Sequence, residues 1–277
     1  LLAKYDFRLS KNFGQNFLTD KNIIDKIICA AELTAEDTVL EIGSGFGALT
    51  GLLAQNAGHV IAVEIDKRAV EVLQEVLADA ENTQIVCCDF MKYDLAQLPR
   101  QIKVIGNLPY YITTPILMKM LENDVLPERM IFMMQKEVAK RITSPAGCRE
   151  YGAVSVSVQY YADAEYLMDV SREVFYPKPN VDSAVLRLTP KVDAKRPIDP
   201  ALMFSLVKAG FGQRRKMLQN AFKTLDFSAE EIDSAFRTSG LDSNARAETL
   251  SVENFIDLAD AFYHEANGRG AQREQIK

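Results

Sequence analysis

Thr38-Val39-Leu40-Glu41-Ile42-Gly43-Ser44-Gly45-Phe46-Gly47 is the stretch that decides the fold. Its first half is a short, mostly apolar run containing β-branched residues, the pattern of a buried strand. Its second half places glycine at alternate positions, which lets the backbone turn tightly and come close to a bound group. Residues 48–55 then take up helical spacing, so strand, glycine loop and helix make half of a βαβ unit.

The same pattern recurs downstream. Residues 59–63 read as a second strand ending at Glu64-Ile65-Asp66, and 68–77 as a helix by the stripe Val70, Val72, Leu73, Val76 and Leu77. Residues 84–87 give a third strand ending near Asp89, 103–106 a fourth ending at Asn107, and 130–134 a fifth. Pro115 suits the first turn of a helix over 116–121. This alternation predicts an α/β fold with an open, mostly parallel, doubly wound sheet. Residues 136–142 read as helix. Residues 154–160 alternate like a strand yet sit where a crossover helix belongs, so their type stays open. Residues 166–170 and 183–188 are strand-like and flank the aromatic loop Phe175-Tyr176-Pro177-Lys178-Pro179. After Pro190 the strands stop. Pro197 and Pro200 mark a linker, and 203–225, 229–237 and 252–263 have helical spacing. Two domains are expected: 1–190, with the sheet and an N-terminal arm, and 191–277, helical. The arm, residues 1–20, is extended, aromatic and mildly basic, and is expected to be mobile without a ligand.

Composition narrows the function classes. With 277 residues, 48% hydrophobic and 25% charged, the chain is an ordinary globular protein. No run reaches the roughly 18 apolar residues of a membrane span, and the N-terminus lacks a secretory pattern. A cytoplasmic, monomeric protein without a membrane partner is expected. Cys29, Cys87, Cys88 and Cys148 form no CxxC pair, and the histidines are His59 and His264, so no metal site is expected. The net charge of -6 argues against a wholly basic nucleic-acid binder. Lys and Arg nevertheless concentrate between Lys178 and Lys223, including Lys208, Arg214, Arg215 and Lys216, a patch compatible with phosphate contacts.

Ligands of open α/β sheets bind outside the carboxyl ends of the strands, where helix N-termini present amide hydrogens. Gly43, Glu64, Asp89 and Asn107 all fall at such ends. Glu64 can accept hydrogen bonds from ribose hydroxyls, and Asp89 from a purine amino group. The run from Gly43 to Ala48 also fits G-x-G-x-x-A with an acid about 20 residues on, so a nicotinamide dehydrogenase competes. Asn107-Leu108-Pro109-Tyr110 separates the two. An exocyclic aromatic amine is a poor nucleophile because its lone pair is delocalised into the ring. Hydrogen bonds to the Asn107 side-chain oxygen and to a backbone carbonyl beside Pro109 would favour a pyramidal nitrogen, while Tyr110 offers a stacking face. A sulfonium methyl held by the glycine loop would then need little beyond positioning, and no general base.

At this point a resemblance is recognisable. Gln15-Asn16-Phe17-Leu18, Glu41-Ile42-Gly43-Ser44-Gly45-Phe46-Gly47, Glu64-Ile65-Asp66, Asp89-Phe90 and Asn107-Leu108-Pro109-Tyr110 together resemble the KsgA (RsmA) family of ribosomal RNA adenine dimethyltransferases. Phe175-Tyr176-Pro177-Lys178-Pro179-Asn180-Val181-Asp182-Ser183, Phe211-Gly212-Gln213-Arg214-Arg215-Lys216 and Arg246-Ala247-Glu248 extend the likeness. The resemblance implies a Rossmann-like S-adenosylmethionine-dependent methyltransferase sheet followed by a small all-α domain. It implies methyl transfer from S-adenosylmethionine to N6 of two adjacent adenosines near the 3′ end of small-subunit (16S) rRNA, coupled to maturation of the small ribosomal subunit. By that likeness Asn16, Leu18 and Gly43 would contact the cofactor's methionine side, Glu64 the ribose, Asp89 the adenine region, and Asn107 both cofactor and target amine. Gln15, Gly45, Ile65 and Phe90 would also belong to the cofactor-binding set. Leu108 and Pro109 would shape the catalytic loop, and Tyr110 and Phe175 would sandwich a flipped adenine. Lys178, Lys208, Arg214, Arg215 and Lys216 would face RNA, the last three on a helix. Two rivals remain: the related group that dimethylates large-subunit RNA, disfavoured by Leu108 and the Gln-Arg-Arg-Lys run, and an RNA-binding assembly factor whose methylation is secondary.

Overall fold

β2 (Thr38–Ile42) and β5 (Lys103–Asn107) lie side by side and parallel, with Val39, Leu40, Ile42, Val104 and Ile105 buried, because neither strand has a solvent face. The protein is described here by a computed structural model covering residues 15–99, 101–123 and 125–274. Next to β2 come β3 (His59–Glu64) and β4 (Thr83–Cys87), and next to β5 comes β6 (Arg129–Gln135), all parallel. Strand order therefore reverses between β2 and β5. The sheet is completed by β9 (Ser183–Pro190), antiparallel to β6, and β7 (Ala162–Val170), antiparallel to β9, in the order β4-β3-β2-β5-β6-β9-β7. The expected α/β class holds. Two short strands, β1 (Phe17–Leu18) and β8 (Phe175–Tyr176), pair antiparallel as a separate small sheet.

The helices between the strands follow from local signals. α1 (Lys21–Ala31) is capped by Asp20, whose carboxylate accepts from the amides of Asn22 and Ile23, and it buries Ile24, Ile27 and Ala31. α2 (Thr50–Asn56) follows the glycine loop, and α3 (Lys67–Val76) is capped by Asp66 and buries Ala69, Val70, Val72 and Leu73. α4 (Thr113–Leu121) starts just past the Asn107–Tyr110 tetrapeptide, and α5 (Lys136–Thr143) directly continues β6.

Two compact units result, one from the chain up to Lys140 with Tyr161–Pro190, the other from Arg141–Tyr160 with the chain from Lys191 onward. The division expected at 190/191 thus omitted an earlier excursion. Its centre is the segment left open in the sequence, which is α6 (Ala153–Tyr161). Valine spacing there looks strand-like, but burial of Ser155, Val156, Val158 and Tyr160 supplies what β-branched residues lack in helix propensity. Ser155 Oγ donates to the Arg141 carbonyl, and Gln159 Nε2 to those of Ile142 and Ser144 at 2.8 Å. The second unit adds α7 (Pro200–Gly212), α8 (Leu218–Phe222), α9 (Ala229–Ser239) and α10 (Val252–Glu274).

One expectation fails here. Residues 203–225 are two helices, and Arg214, Arg215 and Lys216 occupy the turn between them. Gly210 and Gly212 weaken the end of α7. A Cβ on Gly210 would lie 2.7 Å from Leu218 Cδ2, so glycine there lets the chain fold back closely on α8.

At its amino end β5 opens on a buried lysine. Lys103 Nζ donates to the Glu32 carbonyl at 2.7 Å and to Asp37 Oδ2 at 2.9 Å. Burial alone would raise the Asp37 pKa, but Lys103 and Thr34 together hold it below its ordinary 3.8. Lys103→Met is expected to cost about 3 kcal/mol of unfolding free energy by leaving a poorly solvated carboxylate unpaired. The contribution of Asp37 to stability is present above pH 3.8 and is lost as pH falls through its lower folded value. Urea titrations as a function of pH should show that acid loss diminished in the variant.

Candidate active site

A cavity of about 340 Å³ opens at the carboxyl ends of β2, β3, β4 and β5, beside the point where strand order reverses. It is lined by Gln15, Asn16, Leu18, Gly43, Gly45, Glu64, Ile65, Asp89, Phe90, Asn107, Leu108, Pro109 and Tyr110. One pocket therefore collects every cofactor-binding candidate and all four residues of the tetrapeptide.

The glycine loop supplies a floor stripped of side chains. Gly43 and Gly45 have φ of 79° and 53°, in the region that disfavours a Cβ, and a Cβ on Gly45 would meet the Phe17 ring at 2.9 Å. Phe17 stacks on Phe46 with centroids 4.3 Å apart, so the segment entering β1 closes over the loop. Gln15 Nε2 donates to Asp66 Oδ2 at 3.0 Å, and Thr19 N and Oγ1 both donate to the Val174 carbonyl, at 2.9 and 2.8 Å. The mobile-arm expectation for residues 1–20 lies, for 1–14, outside the described residues.

Glu64 is buried at the end of β3. Its Oε2 accepts from Gly45 N at 2.8 Å, and its Oε1 from Ile65 N and Asp66 N at 2.9 Å each. Burial raises its pKa, opposed by those three amides and reinforced by the charge of Asp66. Each carboxylate oxygen offers two lone-pair sites, so Oε2 keeps capacity for another donor. Asp89 is half-buried, and its Oδ1 caps the 3-10 turn Phe90–Lys92 by accepting from Met91 N at 2.9 Å. Its second oxygen has no role in that cap.

The tetrapeptide is held at each of its four residues. Asn107 Nδ2 donates to the Asn16 carbonyl at 2.9 Å. Because a carbonyl can only accept, this bond assigns the amide orientation and directs Oδ1 elsewhere. Leu108 N donates to the Met133 carbonyl at 2.9 Å, and the Pro109 carbonyl already accepts from Ile112 N and Thr113 Oγ1, both at 3.1 Å. The Tyr110 hydroxyl and Ser183 Oγ are 2.7 Å apart, which fixes the ring, and burial pushes the phenol pKa up so that it stays protonated.

Several expectations fare differently. Phe175 does not line the cavity. It is 5% exposed and packs in a core cluster with Ile27, Val39, Met133 and Val185, with Leu18 against it, because β8 is paired to β1. Lys178 is ion-paired with Glu173. Arg214 is engaged by Glu248, at 2.8 Å from Nε, and by the Arg149 carbonyl. Lys208, Arg215 and Lys216 are exposed. Among the described residues, no cluster of three or more His, Cys, Asp or Glu could hold a metal ion, and no helix is long and apolar enough to cross a membrane.

Two site residues escaped the sequence reading. Glu41, buried inside β2, lines the cavity and accepts from Thr50 Oγ1 at 2.6 Å. An acid within an apolar strand run was itself a signal. Ser183 carried no local signal, because its role depends on pairing across the sheet.

The family model described as Ribosomal RNA adenine dimethylase matches residues 6–264. A protein of Lactiplantibacillus plantarum named Ribosomal RNA small subunit methyltransferase A is 44% identical over 275 residues, covering 95% of this chain and 93% of that one. One of the same name from Clostridioides difficile is 43% identical, covering 94% and 93%. Among solved structures, a dimethyladenosine transferase from Plasmodium falciparum superposes with a TM-score of 0.79 at 25% identity, covering 90% of this chain and 98% of that one. The 23S rRNA methyltransferase ErmE superposes at 0.71 with 27% identity, covering 90% and 100%.

Burial pushes Glu41 up to about 7, aided by the charge of Glu64 and opposed by the hydrogen bond from Thr50. Between pH 4.5 and about 7 the folded protein therefore keeps a proton that the unfolded chain has lost. Stability of the unliganded protein should fall as pH rises through that window. Glu41→Gln keeps an acceptor for Thr50 and should remove part of the fall, Glu64 supplying the rest; thermal melts at stepped pH measure it.

Proposed function

Starting from a chain that belongs to the ribosomal RNA adenine dimethylase family, we propose that it dimethylates N6 of two adjacent adenosines near the 3′ end of 16S rRNA, in the cytoplasm, with S-adenosylmethionine as donor and the maturing small subunit as partner. The chain is an rRNA adenine dimethyltransferase. That membership displaces the dehydrogenase reading of the glycine loop, and the small-subunit names of its relatives favour 16S over 23S rRNA.

The observation that carries the proposal is the Asn107 clamp. With Nδ2 committed to the Asn16 carbonyl, Oδ1 is the atom left to accept from an exocyclic amine. The Pro109 carbonyl is doubly occupied, so the backbone acceptor for the second amine hydrogen is the Leu108 carbonyl. These two acceptors draw both N–H bonds to one side and turn the nitrogen lone pair to the other. Tyr110, fixed through Ser183, provides the face on which the base stacks. Phe175 contributes from beneath, by bracing Leu18.

The pocket suits S-adenosylmethionine. Gln15 Oε1 is buried without a partner among the described residues, an acceptor fitted to an ammonium group. The spare site on Glu64 suits a ribose hydroxyl, Asp89 suits an adenine amino group, and Ile65 and Phe90 provide apolar walls. When bound, S-adenosylmethionine supplies an electrophilic sulfonium methyl. The residues of the tetrapeptide carry no carboxylate or imidazole, so the proton lost by the methylated amine goes to water. For the RNA, exposed Lys208, Arg215 and Lys216 are the cations proposed to meet phosphate, with Lys178 and Arg214 able to do so only on leaving their acidic partners.

Labelled S-adenosylmethionine supplied with unmethylated small subunits, large subunits and DNA should label small-subunit RNA alone; absence of label there sinks the reading. Asn107→Ala should lower kcat by roughly 100-fold or more, as loss of a positioned polar group in an active site does. The variant should still bind small subunits. If subunit maturation survives that loss of methylation, binding is the larger part of the protein's role.

A further inference from the structure

Lys119 lies in the last turn of α4, outside the set of residues lining the cavity. Its ammonium donates to three backbone carbonyls: Phe90 at 2.9 Å, Met91 at 2.9 Å and Tyr93 at 2.7 Å. An ammonium has three N–H bonds, and all three are spent on one short segment. Nζ also lies 5.3 Å from the centroid of the Phe90 ring.

That segment is the 3-10 turn Phe90–Lys92 with its cap Tyr93. Internally it is held by Lys92 N to the Asp89 carbonyl at 2.8 Å, Tyr93 N to the Phe90 carbonyl at 3.1 Å, the Asp89 side chain on Met91 N, and a loose stack of the Phe90 and Tyr93 rings with centroids 6.2 Å apart. A turn this short leaves its last carbonyls without helical partners, and a cation there satisfies them and complements their dipoles. Asp89 and Phe90, the residues proposed to meet adenine, ride on this turn. At the opposite end of α4, Thr113 Oγ1 donates to the Pro109 carbonyl. One helix thus grips the catalytic tetrapeptide at its start and the adenine turn at its end.

We infer that Lys119 is a positioning residue for the adenine of the methyl donor, acting through the 89–93 turn and not by touching the ligand. The inference rests on the S-adenosylmethionine reading given above. Removing the ammonium frees the turn to sample other conformations, and binding must then order it.

Lys119→Met keeps the stem and deletes the donors. It should raise KM and Kd for S-adenosylmethionine by about 10-fold, the scale of lost hydrogen bonds to a charged group. Binding of adenosine alone should weaken in parallel, KM for the small subunit should stay as it was, and kcat at saturating donor should fall much less than KM rises. Lys119→Gln retains part of the donor set; it should lie between, and it serves if the methionine variant does not fold. A loss of melting temperature and active fraction with unchanged KM and Kd for the donor would make Lys119 merely structural and overturn the inference, as would variants indistinguishable from the parent. Failure of the parent protein itself to bind S-adenosylmethionine would overturn the donor reading, and this inference with it.

Discussion

Register between two parallel strands governs the site. Ile42 of β2 stands opposite Gly106 of β5, so the two chains leave the sheet together, one as the glycine loop and the other as the tetrapeptide. The approach is close: a Cβ on Gly106 would lie 2.9 Å from the Ile42 carbonyl, and one on Gly43 3.5 Å from the Asn107 carbonyl. Side chains in a strand alternate between faces, so a slip of one residue would turn Asn107 away from the pocket and leave Gly106 facing the wrong neighbour. The seats proposed for the methyl donor and for the amine are neighbours because two strands are, and strand order reverses just there.

Around that seam the site is assembled from acids and backbone amides. Glu64 gathers three backbone N–H groups and so stiffens both the glycine loop and the 64–66 turn. Glu41 sits deeper, tied to Thr50 at the start of α2. Carboxyl groups taken from water are costly unless hydrogen-bonded, and here the donors come from the loops that must be held still. Lys119 gives the complementary arrangement, a half-buried cation spent on backbone acceptors.

Much of this was legible in the chain. Four strand ends carrying Gly43, Glu64, Asp89 and Asn107 follow from hydrophobic periodicity and glycine, which are local properties, and they converge because parallel strands must. What was illegible depends on partners far away in sequence. The valines of 153–161 look like a strand until burial against the helical unit is known, and Arg214 to Lys216 look helical until Gly210 meets Leu218. The family resemblance implied a base-stacking role for Phe175, whereas the pairing of β8 with β1 places it in the core. Ser183 and Lys119 are unremarkable letters whose work appears only when Tyr110 and the 90–93 carbonyls are placed beside them.

The two-residue ladder between β1 and β8 has a consequence for the order in which the pocket is finished. Gln15 to Leu18 are synthesised before the five parallel strands, yet the strand that pairs with Phe17 and Leu18, Phe175–Tyr176, is made only after them. During vectorial synthesis, the glycine loop, Glu64 and Asn107 can all be in place while the Phe17–Leu18 segment still waits for its partner strand. The Asn107 amide thus gains its orienting contact from Asn16 only once the segment leading into β1 is secured, a step that awaits synthesis of β8.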